Sequence, residues 1–281
     1  MLLLFLLLLL ASPVLVTATT DGGLRFHPVL GSGMVLQRAP LRAAVFGFGA
    51  PPSKDCAVYL GGGWQGSAKA ASDGSWRLEL GVQGSSTSGS TLTVSCEGAP
   101  RNLTATDVLF GDVYVTSGQS NMELPVEHTF SYWNATLNGT GYFDQPNIRV
   151  TKVPHNLQLQ PASTLDAPLT WSHASWSSMQ GHSAISFYFA KELTDTLAGG
   201  DRTPIGIIES SWGGTIIESW VSAEAQKACS YRICGPSAPK GKVCNSSVLD
   251  SHQQPGSLYN GMILVSTQGV AYALAYIVGP V

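Results

Sequence analysis

The chain has 281 residues, enough for one large domain or two ordinary ones with a buried core. Only 12% of them are charged while 44% are hydrophobic, a balance that suits strands and turns better than long solvated helices. The net charge of -3 supplies no basic field, so nucleic acid is excluded as a partner.

Residues 1–10 are almost all leucine, and Val16-Thr17-Ala18 places small or modest side chains where a signal peptidase cuts. Residues 1–18 are therefore predicted to be a signal peptide cleaved after Ala18. A signal anchor is the competing reading, disfavoured because the apolar core falls short of the ~20 residues a spanning helix needs. Four Asn-x-Ser/Thr triplets, at Asn102, Asn134, Asn138 and Asn245, agree with passage through the secretory pathway and are predicted glycosylation sites. Five cysteines then meet an oxidising compartment. Cys56 and Cys96 form the simplest pair, whereas Cys229, Cys234 and Cys244 make a cluster with one member left over. No Cys/His grouping has zinc-ligand spacing, and no metal is expected.

After the leader, residues 19–105 read as a small antiparallel β-sandwich domain. Trp76, Leu78 and Leu80 alternate with Arg77 and Glu79, and Leu92, Val94 and Cys96 alternate with Thr93 and Ser95, the period of half-buried strands. Asp73-Gly74 supplies a turn before the first of these. Trp64 and Trp76 offer flat faces that suit sugar rings, but aromatic side chains dominate small β cores, and a core or turn role is the expectation for both.

From residue 106 to 263 the texture changes to strands alternating with helices, which argues for a doubly wound parallel α/β sheet. Asn147-Ile148-Arg149-Val150-Thr151-Lys152-Val153 has strand periodicity. Ile185, Phe189, Leu193 and Leu197 recur every fourth residue ahead of Gly199-Gly200, predicting an amphipathic helix with that buried face. Ile205-Gly206-Ile207-Ile208 reads as a short buried strand. The polar, aromatic stretch 127–145 reads as an exposed loop. Residues 264–281 form an apolar tail, interrupted by Ser266, Thr267, Gln268 and Pro280, and no membrane partner is expected for it.

The stretch with the most chemistry is Val113-Tyr114-Val115-Thr116-Ser117-Gly118-Gln119-Ser120-Asn121-Met122-Glu123. An apolar strand reaches a glycine, and Ser120 comes two positions later where a helix can begin. A serine there stands at a strand's carboxyl end, beside helix N–H groups that favour developing negative charge. Ser is also an ordinary N-cap residue, so the local pattern alone leaves a capping role open. Glu209-Ser210-Ser211-Trp212-Gly213-Gly214-Thr215 ends a second strand in the same way, and glycines let backbone N–H groups approach a substrate oxygen.

The string Gly111-Asp112-Val113-Tyr114-Val115 with Gly118-Gln119-Ser120-Asn121-Met122-Glu123 resembles the first block of the sialate O-acetylesterases, a branch of the SGNH hydrolases. Phe26-His27-Pro28-Val29, Gly33-Met34-Val35-Leu36-Gln37, the Gly213-Gly214 string and Leu258-Tyr259-Asn260-Gly261-Met262-Ile263 resemble the same family. The resemblance implies an SGNH-like esterase domain behind a β domain, with Ser120 as nucleophile and the backbone N–H groups of Ser120 and Gly213 or Gly214 as oxyanion donors. It implies Gln119 and Asn121 as shapers of the pocket, and His27 as a structural residue. The implied substrate is O-acetylated sialic acid or a sialoglycoconjugate, in a lysosomal or extracellular setting, with no cofactor.

A serine needs a base to take its proton. In the family that base belongs to an Asp-x-x-His motif, preceded by a Trp-Tyr-Gln-Gly-Glu block, and these 281 residues contain neither. The resemblance stops at Ile263. None of His27, His128, His155, His173, His182 and His252 lies near an acid at a spacing that marks a triad, and loop histidines are expected to be solvated bystanders. The family reading is an esterase removing 9-O-acetyl groups from sialic acids. Its alternatives are an inactive glycan-binding or regulatory short form, and an acetylesterase for another carbohydrate such as xylan.

Overall fold

The computed structural model describes residues 23–196, 202–228 and 254–267. Its strands are β1 (Arg25–Phe26), β2 (Val35–Gln37), β3 (Ala44–Phe48), β4 (Asp55–Leu60), β5 (Gly63–Lys69), β6 (Trp76–Glu79), β7 (Ser86–Cys96), β8 (Leu103–Gly118), β9 (Gln145–Lys152), β10 (Ser172–Ala174) and β11 (Ile205–Ser211). The helices are α1 (Ser120–Glu123), α2 (Phe130–Asn138), α3 (Ala184–Thr196), α4 (Ala223–Ala228) and α5 (Leu264–Thr267).

One long strand ties the architecture together. The first half of β8 pairs antiparallel with β7, from Val94↔Leu103 to Ser86↔Phe110. Its middle runs parallel to β2. Its second half runs parallel to β11, from Ile205↔Asp112 to Ser211↔Gly118, and β11 in turn runs parallel to β9. The order β10-β9-β11-β8-β7-β4-β5 is thus a continuous sheet, parallel from β9 through β11 to β8 and antiparallel at β10 and from β8 through β7 and β4 to β5. The strand crosses residue 105, where composition alone suggests a change of texture, so the two regions share backbone hydrogen bonds rather than a linker.

A three-stranded antiparallel sheet, β1-β3-β6, covers the amino-terminal part of this larger sheet. Trp76 and Leu78 of β6 point inward while Arg77 and Glu79 face out, and Val45 joins them against Val58, Leu92, Val94 and Val108. Each fully buried side chain of this kind contributes about 1.5–3 kcal/mol. Cys56 and Cys96 are cross-strand partners on β4 and β7 and are joined by a disulfide. Cys229, Cys234 and Cys244 lie outside the described residues. Of the two tryptophans with faces suited to sugar, Trp76 is core, whereas Trp64 is 64% exposed.

The second core lies between the parallel strands and α3. Both faces of β11 are covered, and all seven of its residues are buried, as a central parallel strand requires. The predicted helix at 184–196 forms, but rotated from the expected face. Ala184, Phe187 and Ala190 are buried while Ile185, Phe189 and Leu193 are half-buried. The rotation places Ser186 Oγ as a donor to Thr116 Oγ1 at 2.7 Å and Phe189 edge-on to Tyr114.

The stretch 127–145 is not a loop. It holds α2, capped by Thr129, whose Oγ1 accepts from Tyr132 N–H. Tyr132 stacks on Trp176 and Phe143 on Phe187, so its aromatics close the edge of the second core. The outward residues Phe130, Trp133 and Leu137 disguise the pattern, because the helix is apolar on two faces. At the other end, one π-helical turn, Tyr259–Ile263, runs directly into α5, and Met262, Ile263 and Val265 are buried together across residue 263.

Among the described residues no helix is long and apolar enough to cross a membrane.

Candidate active site

The parallel register brings three strand ends side by side. β8 ends at Gly118 opposite Ser211, the last residue of β11, while Lys152 of β9 lies opposite Glu209. The segments leaving these strands must emerge on one edge of the sheet, where ligands of open α/β folds sit. They carry Ser120, Trp212-Gly213-Gly214 and His155.

Gly118 makes the first turn possible. Its φ of 151° is in a region L side chains rarely adopt, and a Cβ there would stand 2.6 Å from Met122 Cγ. The chain then passes through extended Gln119 into the single turn α1, where Met122 is buried and Ser120 is exposed. Gln119 contributes no capping bond from its side chain; its Oε1 lies 3.5 Å from Ser120 Oγ. Asn121 is exposed beside it.

The Trp212-Gly213-Gly214 turn is fastened to this one. Trp212 N–H donates to Gly118 O at 3.0 Å, Thr215 Oγ1 donates to Trp212 O, and Trp220 Nε1 donates to Thr215 Oγ1. A Cβ on Gly213 would lie 3.6 Å from both Cα and Cβ of Ser120, so no side chain separates the two. Gly214 has a φ of 74° and opens outward, with no atom within 4 Å of a Cβ built on it. The Gly213 N–H does not point into open space: it donates to Glu123 Oε2 at 2.6 Å.

The other oxygen of that carboxylate, Oε1, is 2.7 Å from His155 Nε2. The imidazole lies flat on Trp212, with ring centroids 4.1 Å apart and planes 4° from parallel. Asn156, next in the chain, donates to Gly261 O, and Gln158 N–H to Ser257 O, so the segment 254–267 buttresses the loop that carries His155. Beneath the site Glu209 is 1% exposed and accepts from Ser183 N–H at 2.9 Å, with His182 Nδ1 at 2.8 Å and Lys152 Nζ at 3.7 Å.

Of the residues singled out in the sequence, the fold gathers Gln119, Ser120, Asn121, Gly213 and Gly214 at one sheet edge. Glu123 and His155 join them unannounced. Glu123 lies one helical turn after Ser120 inside the same sequence block, a visible spacing, but nothing local marks His155, which is 32 residues beyond Glu123. His27 lies apart, buried beside Phe46 and Phe48 with Nε2 3.3 Å from Ser163 O. Burial lowers its pKa from 6.5 to about 4. His128 and His173 are exposed, and His252 lies outside the described residues. Asn102 and Asn134 are exposed, Asn138 ends α2, and Asn245 lies outside the described residues.

The chain has recognisable relatives among known proteins. Residues 110–233 match the family model described as carbohydrate esterase, sialic acid-specific acetylesterase. The sialate O-acetylesterase of Homo sapiens is 33% identical over 238 residues, which is 78% of this chain and 43% of that protein. The Pongo abelii sialate O-acetylesterase is 33% identical over 272 residues, 90% of this chain and 48% of that protein. A crystal structure of a carbohydrate acetylesterase from Xanthomonas citri superimposes with a TM-score of 0.72 at 27% identity, covering 91% of this chain and 51% of the other. The chain thus spans about half the length of the relatives it matches. Over residues 110–233, which hold both Ser120 and the Gly213-Gly214 turn, it belongs to the sialic acid-specific acetylesterase family of carbohydrate esterases.

Proposed function

We propose that this chain is a carbohydrate esterase that removes O-acetyl groups from sialic acids through Ser120, with the 9-O-acetyl ester as substrate. The observation that carries this reading is the exposed Ser120 on a strand-end turn with Gly213 packed directly against it. In the proposed reaction Ser120 Oγ attacks the ester carbonyl, its proton ends on the departing sugar oxygen, which leaves as the hydroxyl, and water then hydrolyses the acyl-enzyme to acetate and restores the serine hydroxyl. Ser120 N–H faces the developing oxyanion. The second donor of this turn in the proposal is the backbone N–H of Gly213 or Gly214. Gln119 and Asn121 flank the nucleophile and shape the acetyl pocket.

A second reading, a non-hydrolytic sialoglycan-binding product, is favoured by one feature. Among the described residues no imidazole hydrogen-bonds Ser120 Oγ, whose partner is Gln119 Oε1. Catalytic hydrogen bonds are often long before substrate arrives, so the hydrolytic reading stands first. For either, we propose a secretory route ending in the lysosome or outside the cell, with residues 1–18 removed and sequons glycosylated.

The deciding experiment is acetate release from a 9-O-acetylated sialoside by the glycosylated chain and by its Ser120→Ala variant, with acetylated xylan alongside. Release that requires Ser120 and prefers the sialoside supports the proposal. A folded, secreted chain that binds the sialoside without releasing acetate replaces it with the second reading.

A further inference from the structure

We propose that Glu123 is a positioning residue of the Ser120 site, a carboxylate strut that holds the Trp212-Gly213 turn and the His155 loop in register with the nucleophile. The role in catalysis rests on the esterase reading above; the strut itself does not.

The need for a strut arises from α1. A helix of four residues cannot sustain itself, since helix formation repays its nucleation cost only over many residues. Leu124-Pro125 ends it at once, and the side chain of Gln119 caps nothing. The orientation of Ser120 must therefore come from tertiary contacts on the same turn. Met122 supplies one by burial. Glu123 supplies two more: Oε2 accepts from Gly213 N–H at 2.6 Å, and Oε1 meets His155 Nε2 at 2.7 Å. Both are bonds to a carboxylate, the stronger class of hydrogen bond. One side chain thereby joins the segments that leave β8, β11 and β9.

The fit is specific in reach. Gly213 is held so close that a Cβ on it would lie 2.9 Å from Glu123 Oε2 and 3.6 Å from Ser120 Cβ. Carboxylate and nucleophile flank the same glycine. His155 cannot swing away from its oxygen without leaving the face of Trp212, whose own N–H is tied to Gly118 O. A side chain shorter by one methylene cannot span the gap, whereas glutamine keeps the length and one accepting oxygen.

The test uses the intact chain labelled with 15N-glycine, in which exchange of the Gly213 amide reports the strut without reference to activity. Glu123→Ala and Glu123→Asp are expected to speed that exchange by about 10-fold or more, the worth of a hydrogen bond to a charged group, while Glu123→Gln stays near wild type. In acetate release, kcat changes in the same order, with KM little changed because the ground-state pocket is intact. Should Glu123→Ala not fold, His155→Phe keeps the stack on Trp212, removes the bond to Oε1, and is expected to speed Gly213 exchange by a few fold through the loosened carboxylate. Unchanged Gly213 exchange in the Asp and Phe variants overturns the strut, as does a Gln variant damaged as badly as Asp. Absence of Ser120-dependent acetate release with the exchange pattern intact overturns the esterase reading and supports the strut.

Discussion

Glu123 and His155 are separated by 32 residues of sequence and by 2.7 Å in space. Their meeting is a consequence of parallel pairing. β8 and β9 both run toward the same edge on either side of β11, so the segments that leave them are neighbours there. The carboxylate of one segment then reaches the imidazole of the other across Trp212-Gly213.

Gly118→Ala is expected to damage the site from below. The new Cβ would require an unfavourable φ and crowd Met122 Cγ at 2.6 Å, so Met122 must leave its buried seat or the turn must reshape. A cost of about 1–3 kcal/mol is expected in denaturant unfolding, with acetate release falling more than stability alone explains.

Glu209→Ala removes the acceptor shared by Ser183 N–H and His182 Nδ1, together with the charge facing Lys152, whose Nζ keeps its bond to Gly181 O. Loss of about 3 kcal/mol or more is expected, because buried partners are left unpaired. Glu209→Gln should cost less, since one oxygen still accepts from Ser183. Urea midpoints of the two variants check the order.

His27 makes the fold sensitive to acid. Burial lowers its pKa from 6.5 to about 4, so between these values the unfolded chain binds more protons than the folded one. Its contribution is complete above pH 6.5 and is lost as pH falls toward 4, an upper figure of about 3 kcal/mol. Unfolding measured from pH 7 to 4 should show a shallower slope in His27→Gln than in wild type.

The Cys56–Cys96 bridge ties the neighbouring strands β4 and β7 of one sheet across a sequence separation of 40. Replacing both cysteines by alanine is expected to cost about 2–4 kcal/mol. Urea unfolding of the double variant beside the wild type, both under oxidising conditions, checks the figure.

Local signals reached a good part of this molecule. The alternation in β6 and β7, the buried run of β11 and the glycine before Ser120 are each written in a few consecutive residues, because strand period and turn chemistry are short-range properties. The pairing of Cys56 with Cys96 was the simplest arithmetic, and β4 and β7 make them direct partners. Polarity misled at 127–145, since a helix with aromatics on two faces imitates a loop. Periodicity misled in α3, where the buried face carries Ala184, Ser186, Phe187 and Ala190 while Ile185, Phe189 and Leu193 lie at its margin.

The sequence by itself therefore determined the strand-turn-helix that presents Ser120, the glycine turn after β11 and the family they signal, because these depend on residues adjacent in the chain. Only the tertiary structure decided that Gly213 gives its N–H to Glu123, that His155 lies on Trp212, and that β8 joins the antiparallel and parallel halves of one sheet. Those relationships depend on which strand ends the parallel crossovers bring together, and no spacing along one chain encodes a distance between two loops that meet only when the sheet is built.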